Sequence, residues 1–496
     1  MSLIVDSTIM GCWLGKSIGG TLGLPAEGKM ERLHFSFYNP VPTIAPPNDD
    51  LELQLVWLHV VEAAPGGTLT QTDFANAWLN HIHYMWDEYG RTRWNLRRGV
   101  PVEHVGTFEN PFVSGMGSPI RSEIWACLFP GDPDSAAYYA AMDASLDHGV
   151  EGIAGEVFLA VMQSVIVPGR TAADGIESAA LDLDAAISLA LRYIPGNCET
   201  ALAIAQARHN FESGVEEWAC WSDLLAKHGH DNFTHAPLNV ALIVWALLYG
   251  GGDFEKSILL AVNGGYDTDC TAATVGATLG LIIGAEGIPA RWIEPIGEQI
   301  FVGPGIQEIT PPRTLSELTD RTVALLGKLD RQRWDNSLWN AAFDGKGVDL
   351  ATLPGTISLV PADTQLGEAL VSPVLWANGE LPAEVKRAGG ARWIWDVTSI
   401  EPRELLVLAR AGARLYVDDM LVLECPAGLP YVPAPHRSPG GSRTRYLPSP
   451  GRHEVRLELS SSDAEQDASV ILSYPNRHIC PWTRGGLPHA ANLPAE

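Results

Sequence analysis

Positive charge is scarce in this chain. Lysine and arginine number 33 against 59 aspartates and glutamates, a formal net charge of −26 over 496 residues. A surface that negative repels nucleic acid and anionic membranes, so neither is expected as a partner. Cysteine is sparse and unpatterned. Cys12, Cys127, Cys198, Cys220, Cys270, Cys425 and Cys480 form an odd, scattered set with no CxxC pair. That argues against a disulfide framework or a structural zinc site and for a reducing compartment. Long apolar runs are lacking too: the best, Ala241 to Tyr249, is far too short to span a bilayer. The opening MSLIVDSTIM has no basic stretch ahead of an apolar one, so no signal peptide is expected and the expected location is the cytoplasm. No internal repeat or low-complexity tract stands out.

What is present is a globular composition, 46% hydrophobic, in a chain long enough for two or three domains. Apolar residues recur at three- and four-residue spacing over 50–64, 73–87, 133–146, 151–166, 199–212 and 313–328, the pattern of amphipathic helices. Two further segments, 236–249 and 269–284, are apolar nearly all round and belong at the centre of a large bundle. The second is rich in Ala, Gly and Thr, which permits close helix–helix approach. After about residue 330 the period changes. A linker-like stretch with Trp334, Trp339 and Gly345 precedes short alternating segments at 391–398, 413–424 and 453–459, the pattern of a β-sandwich or jelly roll. The expected architecture is an all-α helical bundle over 1–330, a linker over 331–355 and a smaller all-β domain over 356–496.

Two acidic corners carry the chemistry. Asn48-Asp49-Asp50 stands directly before one predicted helix and Asp267-Thr268-Asp269 directly before another. Clustered carboxylates repel one another and are costly near a buried helix unless something neutralises them. A hard divalent cation with oxygen ligands does this. The plainer reading is helix capping, since Asp and Asn satisfy free N–H groups and suit the helix dipole. Asp49 with Glu52 even has capping-box spacing.

Other segments add to the first reading. Met10-Gly11-Cys12-Trp13-Leu14-Gly15, Gly19-Gly20-Thr21-Leu22-Gly23 and Pro25-Ala26-Glu27 resemble the opening G-x-x-x-G…G-D-x-x-G-x-P-x-E of the ADP-ribosylglycohydrolase family. Asn48-Asp49-Asp50 stands where that family has T-D-D. Gly117-Ser118-Pro119-Ile120-Arg121 is similar to its N-G-x-x-M-R loop, and Phe129-Pro130-Gly131-Asp132-Pro133 to the turn that follows. Asp143-Ala144-Ser145-Leu146-Asp147-His148 is similar to D-A-x-L-T-H, Asn263 to Asp269 to N-x-G-G-D-T-D, and Ile288-Pro289-Ala290-Arg291-Trp292 to a closing I-P-x-x-W. The resemblance spans most of residues 9–300, in order. It implies an all-α orthogonal bundle with a two-magnesium centre at the end of a cleft, and hydrolysis of a glycosidic bond at a ribose C1. Carried over, Asn48, Asp49, Asp50, Asp267 and Asp269 would be metal ligands, with one or two Mg2+ ions expected and Ca2+ or Mn2+ left open. Glu27 would face the ribose or the attacking water. Gly117, Ser118, Arg121, His148 and Tyr266 would line the substrate pocket.

The departures fall at the site. Asn48 replaces the family's first threonine, and an amide oxygen still suits a hard cation. Cys270 replaces the second, and a thiol is a poor ligand for magnesium or calcium, so one metal position is expected to be weakened or completed by water. The family's acid near Gly20 is absent, and Met116 stands for the loop asparagine. Arg91, Arg93, Arg97 and Arg98 around Trp94 read either as a loop patch neutralising an anionic substrate or as solvated surface making ion pairs. Phe35, Phe37 and Tyr38 read either as an aromatic wall or as packing. Of Trp393, Trp395 and Tyr416, two are expected in a β core.

The function expected is metal-dependent hydrolysis at C1 of a ribosyl or related furanosyl group. A metal orients sugar hydroxyls and lowers the pKa of a bound water, with Glu27, Asp49 or Asp267 as catalytic carboxylates. The partner is a small glycoside or an ADP-ribosyl substrate. An ADP-ribosylated protein side chain is the alternative substrate, and a non-catalytic binding or structural member of the same fold is the alternative class. Retention of four aspartates and Glu27 argues against the latter. The segments Arg414 to Asp419 and Gly451 to Leu457 are weakly similar to carbohydrate-linked β-sandwich modules. Flank packing or a dimer contact is the other reading of that domain, which leaves a homo-oligomer open.

Overall fold

Four glycines at four-residue spacing decide how the first helix packs in the computed structural model of this protein. Gly11, Gly15, Gly19 and Gly23 share one face of helix α1 (Ser2–Gly23), against a facing row on α13 (Thr268–Ile283). A Cβ on Gly11 would lie 2.3 Å from the Gly280 carbonyl oxygen, on Gly15 2.0 Å from that of Gly276, on Gly19 2.0 Å from that of Ala272, and on Gly23 2.2 Å from that of Thr268. The backbones therefore touch, leaving no room for any side chain between them. The pairing order makes the two helices antiparallel, so the end of α1 abuts the start of α13. There Thr268 Oγ1 donates to the Gly23 carbonyl at 2.8 Å.

The structure describes residues 2–84, 87–97, 99–108, 110, 112–167, 169–170, 177–178, 182–335, 339, 360–361, 381, 383–397, 400–432, 439–473 and 479–480. The chain groups into two compact units, one from 1–83 and 114–345, the other from 84–113 and 346–496. The linker expected over 331–355 and its boundary at 356 fall largely outside the described residues, as do Gly345 and the last residue of the strand expected over 391–398.

The first unit is helical. Besides α1 and α13 it contains α2 (Asp49–Ala63), α3 (Gln71–Asn80), α5 (Ser122–Leu128), α6 (Pro133–Ala144), α7 (Val150–Ile166), α8 (Leu183–Ala190), α9 (Glu199–Glu212), α10 (Glu217–His228), α11 (Ala236–Gly250), α12 (Phe254–Asn263), α14 (Ala290–Ile293) and α15 (Leu315–Ala324), with one two-residue ribbon, β1 (Gly169–Arg170) and β2 (Glu177–Ser178). The helices that are apolar all round sit at the centre: α7, α11 and α13 are buried along nearly their whole lengths. The helix expected over 73–87 stops at Asn80, because Ile82 bridges Ile306 and the His83 N–H donates to the Gly305 carbonyl at 2.6 Å. Among the described residues no helix is long and apolar enough to cross a membrane.

The second unit holds two antiparallel sheets. One has the order β3 (Val360–Pro361), β4 (Gly390–Val397), β9 (Gly451–Leu459), β6 (Ala413–Val417), β7 (Met420–Cys425). The other has the order β11 (Ile479–Cys480), β10 (Ala468–Ser473), β5 (Arg403–Ala409), β8 (Arg443–Tyr446). Their inner faces share one apolar core with Trp393, Trp395, Leu405, Leu415, Val455 and Ile471, as alternation along a half-buried strand requires. Of the three aromatics weighed for this domain, Trp393 and Trp395 are the two in the core, while Tyr416 lies under Arg456 with 4.0 Å from guanidinium to ring. The basic stretch at 91–97 is the helix α4 (Asp87–Arg97), not a loop, and its Trp94 joins this core. Arg91 and Arg93 are buried while Arg97 is exposed, so the solvated reading fails for the first two; burial, helped by Arg97, lowers the Arg93 pKa to about 10. Arg98 lies outside the described residues.

Candidate active site

The loop leaving α1 is stitched to the loop entering α13. The Gly28 N–H donates to the Tyr266 carbonyl and the Tyr266 N–H to the Lys29 carbonyl, both at 2.9 Å. Gly265 has φ +72°, and a Cβ there would stand 2.3 Å from the Glu31 carbonyl oxygen, so only glycine fits. Tyr266, with φ 68°, is a non-glycine residue in the left-handed region, a conformation costing on the order of 1 kcal/mol that its two strand-like hydrogen bonds offset. This stitching sets half-buried Glu27 beside buried Asp267 and Asp269.

The other acidic corner arrives from α2. Asn48 is its cap: the side-chain oxygen accepts from the Asp50 N–H at 2.7 Å. The Asn48 amide nitrogen donates to Asp269 Oδ2 at 3.2 Å, and Cys270 Sγ donates to Asp50 Oδ2 at 3.7 Å. The two corners therefore meet. They form two triads whose ligand atoms lie within 4.8 Å of one another, Glu27–Asp267–Asp269 and Asp50–Asp269–Cys270, with Asp269 in both. Capping accounts for one bond of the Asn48 oxygen, and Asn48 belongs to neither triad. Capping does not account for Asp267, whose side chain makes no cap bond. Asp49 is half-buried and belongs to neither triad. Nor is there a capping box at Glu52, which instead accepts from the Gly303 N–H.

Electrostatics at this junction are strained. Burial, and then the charges of Asp269 and Asp49, push the Asp50 carboxyl well above the usual range against the pull of Lys16. Burial and the surrounding carboxylates likewise hold Cys270 as a thiol. Lys16 is fully buried, 3.1 Å from Glu123 Oε1 and 3.7 Å from Asp50 Oδ1. Burial opposes its charge, yet Glu123 and Asp50 raise its pKa. Asp269 Oδ1 and Asp50 Oδ1 are buried without a hydrogen-bond partner among the described residues. Such atoms are expensive to leave bare, and clustered carboxylate oxygens of this kind fit a hard divalent cation.

The expected pocket residues divide. Tyr266 is at the junction. Arg121 and His148 are not surface groups at all: both are fully buried. Arg121 donates to Asp143 Oδ1 at 2.9 Å, to both oxygens of Asp147 at 2.8 and 2.7 Å, and to the Gly117 carbonyl at 2.6 Å. His148 Nδ1 lies 2.9 Å from Asp147 Oδ1. Burial pushes Asp147 up, but Arg121 and His148 outweigh it and hold it low; burial wins at Asp143, raised to about 6, and at Glu156, raised well above its usual range. Each nitrogen of Arg121 thus donates to an internal carboxylate or carbonyl, so the side chain anchors this loop. Gly117, Ser118 and Met116 are buried with it, and the Gly117 carbonyl is held by Arg121. Phe37 and Tyr38 pack on Trp292, with ring centroids 4.7 and 5.2 Å away, the packing reading of those aromatics.

Sequence reasoning missed Lys16, Gln54, Glu123 and Gln163. Gln54 Nε2 donates to Glu123 Oε2 at 2.9 Å, and Gln163 Nε2 to Glu123 Oε1 at 3.5 Å. It also missed Asn239, whose side-chain oxygen accepts from the Asp267 N–H at 3.2 Å. A signal existed. Lys16, Glu123, Gln163 and Asn239 are polar residues inside helices with no polar face, and such residues must find buried partners.

A family model described as ADP-ribosylglycohydrolase matches residues 1–332. An uncharacterized protein of Archaeoglobus fulgidus is 24% identical over 314 residues, covering 60% of this chain and 94% of that protein. Among solved structures, an ADP-ribosylglycohydrolase-related protein complex is similar over 65% of this chain and 97% of that chain, at 19% identity and a TM-score of 0.40. A selenomethionine-labelled beta-glucosidase from Kluyveromyces marxianus covers 90% of this chain and 60% of its own, at 10% identity and a TM-score of 0.19. Likenesses that distant carry no argument for this chain.

Proposed function

The chain belongs to the ADP-ribosylglycohydrolase family, a family of glycohydrolases, and on that premise we propose that it hydrolyses the glycosidic bond at C1 of a ribosyl or related furanosyl group with the help of a divalent metal. The observation that carries this reading is the meeting of Glu27, Asp50, Asp267 and Asp269 at the joined ends of α1, α2 and α13. Asp267 and Asp269 beside Glu27, and Asp50 with the shared Asp269, would hold one or two ions, Mg2+ first, with Mn2+ or Ca2+ open. When bound, the metal supplies charge neutralisation, orientation of sugar hydroxyls and a lowered pKa for water. Glu27 is the one half-buried member of its triad. To its carboxylate we assign the proton taken from the water attacking C1. The clustered carboxylates stabilise the positive charge that develops on the sugar ring as the leaving group departs. Tyr266 closes the substrate side of the junction.

The test is a hydrolysis screen over ADP-ribosylated peptides, ADP-ribose conjugates, nucleosides and simple furanosides, with added Mg2+ or Mn2+ and with chelator. Metal-dependent release of a ribosyl product from any of these supports the reading. Release from modified peptides alone selects the protein-directed alternative. Folded, metal-loaded protein that hydrolyses none of them sinks the enzymatic reading in favour of a binding role.

A further inference from the structure

Resting on the metal-dependent reading above, the geometry points to a mixed centre, in which the Asp50–Asp269–Cys270 position takes a thiophilic transition-metal ion through the Cys270 sulfur while the Glu27–Asp267–Asp269 position takes a hard one. The two triads differ in donor chemistry. One offers three carboxylates. The other offers two carboxylates and a sulfur, all within 4.8 Å of one another and all buried. Sulfur is a poor donor to Mg2+ or Ca2+ and a strong one to Zn2+, Co2+ or Fe2+. The same position holds two buried carboxylate oxygens, Asp50 Oδ1 and Asp269 Oδ1, that lack a hydrogen-bond partner among the described residues. Cys270 Sγ already lies 3.7 Å from Asp50 Oδ2, so a modest rotation about the Cys270 side chain brings sulfur and both carboxylates onto one ion. Asn48 braces this position: its oxygen caps α2 and its amide nitrogen donates to Asp269.

Charge favours the same choice. Lys16 stands 3.7 Å from Asp50 Oδ1, and its ammonium repels a divalent ion there beyond what the two carboxylates offset. An ion that converts the thiol to a thiolate brings its own compensating negative charge. Binding is balanced by release of the thiol proton to solvent as the metal–sulfur bond forms, with no change of oxidation state.

The experiment is Co2+ titration of the full chain, followed by absorbance in the near ultraviolet, where a cobalt–thiolate bond gives an intense charge-transfer band, and by calorimetry in buffers of different protonation enthalpy. Wild type should show the band and release about one proton per Co2+ bound. Cys270→Ser should lose the band and weaken Co2+ and Zn2+ on the order of 100-fold, with Mg2+ binding changed less than about threefold. Circular dichroism confirms that the variant is folded, and Asp50→Asn provides a second variant in which the band should also be lost or shifted. A wild type that binds Co2+ and Mg2+ equally, with no band and no proton release, overturns the mixed centre while leaving the metal-dependent reading intact. A wild type that binds no divalent ion overturns both.

Discussion

Two neighbouring glycines on α1 should respond to the same substitution in opposite directions. Gly19 and Gly20 are both buried in the helix interior, where replacing glycine by alanine gains up to about 1 kcal/mol from the lower backbone entropy of the unfolded chain. What differs is the space beyond the Cα. A Cβ on Gly20 meets the Asn48 side chain at 3.5 Å, an ordinary contact. On Gly19 it would lie 2.0 Å from the Ala272 carbonyl oxygen, with the carbonyl carbon at 2.3 Å and the Ala273 nitrogen at 2.6 Å. The obstacle is backbone of α13, which cannot rotate away, so the helices must separate by roughly 1 Å or more. Overpacking of this kind costs about 1–3 kcal/mol, with the upper end expected for a backbone obstacle. Gly20→Ala should therefore be as stable as wild type or up to about 1 kcal/mol more stable, and Gly19→Ala about 2 kcal/mol less stable. For a domain of this size the contrast corresponds to melting temperatures roughly 6 °C apart. Thermal melts followed by circular dichroism read it directly. Because the same contact aligns Glu27 with Asp267, Gly19→Ala should also weaken divalent-metal binding. If the two variants melt within about 1 °C of each other, backbone contact between α1 and α13 does not organise the site.

Other outcomes follow from single residues. Glu27→Gln keeps an oxygen donor but loses the base, so kcat should fall by at least about 100-fold while divalent-metal affinity changes by less than about tenfold; comparable losses in both would make Glu27 chiefly a ligand. Arg121→Met strands the buried Asp143 and Asp147 carboxylates and should destabilise by about 3–5 kcal/mol, read as a shift in denaturant midpoint; a loss below about 1 kcal/mol would refute the buried-anchor role. In the β unit, His453 Nδ1 lies 2.6 Å from Asp418 Oδ2. Burial lowers the His453 pKa, but its bonds to Asp418 and the Ser449 carbonyl outweigh this and raise it; burial raises Asp418, but His453 and the Glu454 N–H outweigh that and lower it. The histidine's contribution is complete below its unfolded pKa and fades as pH rises through the raised folded one. The aspartate's contribution is complete above its unfolded pKa and fades as pH falls through the lowered folded one. The pair should thus help most between about pH 4 and 6.5. His453→Gln should lower the melting temperature at pH 5.5 more than at pH 9, and an equal penalty at both would exclude the ion pair.

The helical bundle followed by a β domain was legible in the order of residues. Period is a local property: three- and four-residue spacing through 199–212 and alternation through 453–459 report which face each segment buries before any partner is known. The two acidic corners were legible for the same reason, since Asp at a helix start is a local pattern, and their family order told that they belong together. Burial and pairing were not. Arg121 and His148 read by resemblance as pocket residues, and the fold seals both inside with Asp143, Asp147 and Glu156. That the Asn48 oxygen also caps α2, while its amide nitrogen donates to Asp269, could not be read from the sequence. Lys16 gave a local sign of burial, an ammonium in an apolar helix, without a sign of its partner, because Glu123 is 107 residues away. What sequence by itself determined here is which segments are helix or strand and where acids cluster at helix starts. Only the folded chain settles which acids meet, which cation neutralises which anion, and that the Cys270 sulfur stands among them. The reason is that these are distances between residues remote in the chain, set here by backbone contact between α1 and α13, and charge interactions in a buried site change sharply over an ångström.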